Sequence, residues 1–157
     1  MRVSVQEADF DVGAETEALA AGRADVGAVA SFVGYVRADK LAGESAAEQA
    51  VSAMTLEHYP GMTEKSLEAI VAEAESRWSL LGVRVIHRFG RLVPGDRIVF
   101  VGVAGSHRGE AFAACEFIMD YLKTRAPFWK KEDTPEGGRW VDAREADDAA
   151  AEKWGQA

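Results

Sequence analysis

Apolar and polar residues along this chain repeat with two different periods, and the switches between them mark the elements. Arg2 to Gln6 alternates residue by residue, as a short edge strand does, and Glu15 to Ala21 suits a brief helix ending at Gly22. Val26 to Arg37 is an extended apolar stretch whose interior glycines, Gly27 and Gly34, predict a bulge or a close backbone approach. Val51 to His58 predicts a further strand, broken by Tyr59-Pro60-Gly61, with Thr63 as N-cap of the next helix. There Leu67, Ile70, Val71, Ala74 and Trp78 fall at helical spacing, a stripe that faces a core. Gly82 to Val93 predicts a strand with Val83 and Val85 on one face. Pro94-Gly95-Asp96 then turns tightly into Arg97 to Ala104, whose Ile98-Val99-Phe100-Val101 run suits a central strand buried on both faces.

After that strand comes Gly105-Ser106-His107-Arg108-Gly109, with Ser106 expected to cap a long helix. Phe112, Cys115, Ile118, Met119 and Leu122 recur at helical spacing and should pack inward, leaving Lys123 to reach solvent or a cleft. Pro127 cannot continue the helix and biases Ala126 away from helical geometry, so the chain should turn near Arg125 and carry Phe128, Trp129 and Lys130 in a new direction. Residues 134–138 predict a loop, Arg139 to Ala143 a short strand, and Glu145 to Trp154 an acid-rich helix. The small polar residues 38–50 predict a mobile loop, either a lid or a tolerated surface insertion.

The chain's 157 residues fit one domain, 1–157, and its composition of 48% hydrophobic and 28% charged residues is that of a soluble globular protein. No apolar run is long enough to span a bilayer, and Met1 to Phe10 lacks the apolar core of a signal peptide, so a cytoplasmic location is expected. A net charge of -8 argues against a general nucleic-acid or anionic-membrane surface and leaves room only for a local cationic pocket. Cys115 is the single cysteine and lies on an inward face, which suits a small core residue better than a nucleophile. His58, His87 and His107 form no ligand pattern, so no metal site is expected, and no dinucleotide fingerprint calls for a cofactor.

The cations are the exception to an acidic chain. Arg37, Arg108, Lys123 and Lys130 would form one anion site only if the first long strand's end, the helix start and the lysine turn converge. An amine buried beside Phe128 and Trp129 would lose solvation and be suited to proton transfer near neutrality. The plainer alternatives are cations placed at a helix C-terminus because the macrodipole favours them, and a helix cap that leaves His107 and Arg108 exposed.

Four strings carry a family resemblance: Leu56 to Lys65 (LEHYPGMTEK), Pro94 to Val103 (PGDRIVFVGV), Phe117 to Lys130 (FIMDYLKTRAPFWK) and Trp140 to Glu145 (WVDARE). Through them the chain resembles the large, catalytic subunit of molybdopterin synthase over nearly its whole length. The resemblance implies an α+β fold, the α/β hammerhead, with a mixed or antiparallel sheet and packed helices. It implies a homodimer of large subunits, each binding a small ubiquitin-like sulfur-carrier subunit with a thiocarboxylated Gly-Gly tail, a heterotetramer overall. The implied substrate is cyclic pyranopterin monophosphate, converted by two sulfur transfers into the dithiolene of molybdopterin. By position, Lys123 and Lys130 match the catalytic lysines, Arg37, His107 and Arg108 match the substrate pocket, and Lys131 and Arg144 are plausible additions. Tyr35 departs from relatives that carry a basic residue there. Two rival readings stay open at this stage: a non-catalytic dimeric adaptor that holds a carrier tail in a cationic cleft, and an enzyme acting on a different phosphorylated small molecule.

Overall fold

A computed structural model describes residues 2–38, 53–134, 137–141 and 145–155, without the side chains of 133–146. The elements are β1 (Val3–Gln6), α1 (Val12–Ala18), β2 (Ala28–Tyr35), β3 (Ala53–His58), α2 (Met62–Arg77), β4 (Leu80–Arg88) and β5 (Gly90–Leu92). They continue with β6 (Arg97–Gly105), α3 (Arg108–Arg125), β7 (Phe128–Thr134), β8 (Gly137–Val141) and α4 (Glu145–Gly155).

The strands form two sheets. The first has the order β1-β4-β6-β2 and is mixed, β1 running parallel to β4 and the other pairs antiparallel. The second, β5-β3-β7-β8, is antiparallel throughout. This is the α+β architecture that the resemblance implies, with β6 internal as its uninterrupted apolar run requires.

Side chains leave a strand on alternating faces, so Val99, Val101 and Val103 of β6 and Val83 and Val85 of β4 point together toward the helices. There they meet Leu67, Ile70, Val71 and Ala74 of α2 and the inward face of α3. Ile86 and Phe100 point the other way and close on Phe10. A separate small core of Val36, Met54, Leu56 and Leu92 joins the end of β2 to the inner face of the second sheet.

Both glycine expectations in the first long strand hold. The β2–β6 register shifts between Gly34 and Tyr35. At Gly27 a Cβ would stand 2.0 Å from the Ser106 carbonyl oxygen, so only glycine admits that crossing. The tight turn also forms: Gly95 has φ 94°, and the Asp96 carboxylate accepts from the Val93 amide at 2.9 Å.

Several boundaries differ from expectation for definite reasons. The strand expected over Gly82 to Val93 is two strands in different sheets, because Gly90 at φ 92° turns the chain from one to the other. Gly61 precedes α2 instead of Thr63, whose side chain is buried and employed elsewhere. The first helix is Val12–Ala18, capped by Asp11 whose carboxylate accepts from the Ala14 amide at 3.0 Å. His107, not Ser106, precedes α3, and its side chain makes no cap bond. Phe112, expected in the core, is 65% exposed. The other four expected positions, Cys115, Ile118, Met119 and Leu122, are buried as predicted, and Ala111, Ala114, Phe117 and Tyr121 complete the buried stripe of α3. Strand β8 precedes the expected span by two residues, and most of the loop expected over 38–50 lies outside the described residues.

Candidate functional site

The direction of α3 decides which cations share a neighbourhood. The helix leaves the end of β6 and runs back across the sheet, since the Cys115 thiol reaches the Val101 carbonyl at 3.7 Å while Lys123 comes near enough for its charge to act on His87, the register partner of Val99. From Arg108 to Lys123 the axial rise is about 22 Å at about 1.5 Å per residue. His107 and Arg108 therefore stand at one end of α3 and Lys123 at the other. Within one chain they do not converge.

The far end of α3 is built around an imidazole. His87 is the last inward residue of β4 and only 5% exposed. Burial, first, then the Arg88 carbonyl in the opposite sense and the positive charges of Lys123 and His58, bring its pKa down to about 4. Its Nδ1 lies 2.8 Å from that carbonyl, and Phe128 lies over the ring at 3.7 Å with 19° between planes. Pro127 forces this departure of the chain: Ala126 is extended at φ -82°, ψ 129°. The Thr63 hydroxyl donates to the Pro127 carbonyl at 3.0 Å and accepts from the Tyr59 amide at 3.0 Å, fastening the turn to the corner between β3 and α2.

In β7 the ladder pairs Phe128 with His58 and Lys130 with Leu56, so Phe128 and Lys130 share the face that looks onto the small core. Lys131, the next residue, belongs to the opposite face, with Trp129. Arg37 follows Val36, which is buried in that same small core and held by two backbone bonds of 2.9 Å to the Gly95-Asp96 turn. Lys123, Lys130 and Arg37 are thus tied to one corner of the chain, around His87, Phe128 and the β3–β7 ladder. Arg125 is drawn off: it lies over the Tyr121 ring at 3.6 Å and meets Glu73 at 3.3 Å. Arg144 lies outside the described residues. At the opposite end of α3, His107 is 81% exposed, with Nδ1 3.7 Å from Glu110.

The burial on which a desolvated amine depended is absent in one chain, for Lys123 is exposed and Lys130 half-buried. Cys115 is 7% exposed, and burial pushes its thiol up to about 11, the state of a core residue. Among the described residues no group of three or more His, Cys, Asp or Glu side chains is arranged to hold a metal ion. No described helix is long and apolar enough to cross a membrane. Sequence reasoning passed over His87 because it sought ligand patterns. The signal was present all the same, for continuing the alternation of Val83 and Val85 by two residues puts His87 on the apolar face.

Comparison with known proteins gives the family and the fold. The MoaE protein family matches residues 5–125. The molybdopterin synthase catalytic subunit of Ralstonia nicotianae is 62% identical over 153 residues, covering 98% of this chain and 84% of the relative. The solved molybdopterin biosynthesis MoaE protein from Burkholderia ambifaria superposes with a TM-score of 0.80 at 56% identity, covering 98% and 97% of the two chains. A protein-protein complex of subunits 1 and 2 of molybdopterin-converting factor from Helicobacter pylori contains a chain of the same fold. Its TM-score is 0.68 at 20% identity, with 91% and 90% covered. A family match over residues 5–125, with 62% identity to a relative across 98% of the chain, establishes that the chain belongs to the MoaE family, the catalytic subunits of molybdopterin synthase.

Proposed function

We propose that Lys123 and Lys130 form the reacting end of a sulfur-transfer site, where the thiocarboxylate on a small carrier subunit's Gly-Gly tail delivers sulfur to cyclic pyranopterin monophosphate. The observation that carries the reading is the corner around His87 and Phe128, where α3, β4 and β7 meet and the two lysines are tied together in an acidic protein. A thiocarboxylate and a phosphate are both anions, and neighbouring ammonium groups stabilise negative charge on either. Lys123 assists attack at the donor or stabilises charge developing on the pterin; Lys130 holds the phosphate or relays protons. Because the sulfur arrives on the carrier, the enzyme needs no cysteine of its own, in keeping with the burial of Cys115.

The reading includes a homodimer, which the separation of the cations favours. His107 and Arg108 lie too far from Lys123 to serve the same substrate in one chain, so their part in the pocket requires a second copy to present that end of α3. A surface suited to such a copy exists. Among the described residues strand β2 is an edge strand of eight residues that exposes Phe32 and Tyr35, and an apolar edge of this kind favours association. Partial enclosure by a second chain would also remove water from the exposed Lys123 amine. The carrier completes a heterotetramer, and Lys131 and Arg144 are assigned to its tail or to the substrate's rim.

The test combines purified chain, thiocarboxylated carrier and pyranopterin precursor, and follows dithiolene formation. Lys123→Ala should lower turnover by about 100-fold or more, the scale of a lost general acid or base. Unchanged turnover would remove Lys123 from the chemistry.

A further inference from the structure

The two lysines do not explain why a histidine is buried beneath the turn that carries them. A histidine is a costly choice at an inward position of β4, because each ring nitrogen taken from water asks for a partner. One of them is satisfied by the Arg88 carbonyl at 2.8 Å from Nδ1. A carbonyl only accepts, so Nδ1 carries the proton and the neutral ring keeps its lone pair on Nε2. That bond sets the ring plane, and Phe128 stacks face to face on it, with 3.7 Å between centroids and 19° between planes.

Helix geometry alone does not decide where the chain goes after Pro127. Two contacts select one direction: the Thr63 hydroxyl on the Pro127 carbonyl and the His87 ring under Phe128. Lys130 follows Phe128 by two residues on the same face, about 7 Å further along the strand. The groups whose charge acts on the imidazole are Lys123 from α3 and His58 from β3. A charged ring here would repel the Lys123 amine, whereas a neutral one leaves it in place.

We propose that His87 is a positioning residue for sulfur transfer: its ring, oriented by the Arg88 carbonyl, seats Phe128 and thereby holds Lys130 at a set separation from Lys123. This rests on the assignment of both lysines to the site. A side chain that misplaces one reacting amine by about 1 Å slows chemistry without weakening the docking of a carrier elsewhere on the surface.

The test is steady-state sulfur transfer with thiocarboxylated carrier and precursor. His87→Asn keeps an N–H donor but removes the ring, and should lower kcat by about tenfold or more while KM for the carrier stays within about twofold. Phe128→Leu keeps apolar bulk without stacking and should cost a similar factor, and the double variant should be no slower than the slower single one. His87→Phe restores the ring face without the N–H that orients it, and should recover kcat at least about threefold above His87→Asn while staying below wild type. The proposal is overturned if His87→Asn keeps wild-type kcat, if His87→Phe is as slow as His87→Asn, if the two losses multiply, or if the loss lies wholly in KM. Should His87→Asn fail to fold, the comparison of Phe128→Leu with His87→Phe carries the same decision. Lys123→Ala in the same assay separates the two readings. Wild-type turnover there defeats the lysine assignment, and an inactive Lys123→Ala beside an unaffected His87→Asn defeats only the positioning role.

Discussion

Lowering the pH from 7 to 4 should destabilise this protein through one identifiable side chain. In the unfolded chain His87 titrates near its ordinary 6.5, but in the fold burial and the nearby Lys123 ammonium hold it to about 4. Above pH 6.5 the ring is neutral in both states and costs nothing. Between 6.5 and 4 the unfolded chain binds a proton that the folded chain refuses, so each unit of acidification favours unfolding by about 1.4 kcal/mol. Across the window the loss approaches about 3 kcal/mol, a large fraction of a typical domain's stability. Urea unfolding of wild type and His87→Phe at pH 7, 6, 5, 4 and 3.5 isolates the term, because carboxylates such as Asp9 and Asp25, held low by Arg97 and Arg23, titrate alike in both proteins. The variant should gain on wild type as pH falls, and the gain should flatten near pH 4. A stability difference that stays constant across the series would refute the reasoning, as would an NMR titration placing the His87 midpoint near 6.5. In Lys123→Ala the midpoint should move up only part of the way, since burial is the larger cause.

The remaining predictions concern the same corner and the surface beyond it. Thr63→Val leaves the Pro127 carbonyl and the Tyr59 amide without their hydroxyl partner and should cost about 2 kcal/mol, seen as a lower urea midpoint; an unchanged midpoint would show that the clamp is dispensable. Cys115→Ala should keep sulfur transfer within about twofold of wild type, because a thiol raised by burial is a poor nucleophile. A dead variant of native stability would overturn that assignment. If the proposed homodimer forms through β2, Phe32→Lys should shift the chain from dimer to monomer in sedimentation velocity with its far-ultraviolet circular dichroism unchanged. Two proteins that both sediment as dimers would put the contact away from β2, and two that both sediment as monomers would refute the proposed dimer.

Local patterns along the chain carried most of the element assignments, because each depends on neighbours a few residues away. Alternation in Arg2 to Gln6, the apolar run of β6, the stripe of α2, the stop at Pro127 and the glycine crossing at Gly27 all follow from side-chain period and backbone sterics. The resemblance carried by the strings around Pro60, Gly95 and Pro127 likewise led to the family. Packing decided the rest. Periodicity alone did not tell which flank of α3 is buried, and Phe112 is exposed while Ala111 and Ala114 fill the core, because the sheet beneath fixes the helix's rotation. Nor does any local rule separate Arg108 from Lys123; that follows from the length and direction of α3 over β6. The role of His87 is likewise tertiary. Its neighbours in the chain show an inward strand position, but Phe128 stacks on its ring from 41 residues away, and the charges of Lys123 and His58 act on it from 36 and 29 residues away, an arrangement that exists only once the two sheets and α3 have closed on one another.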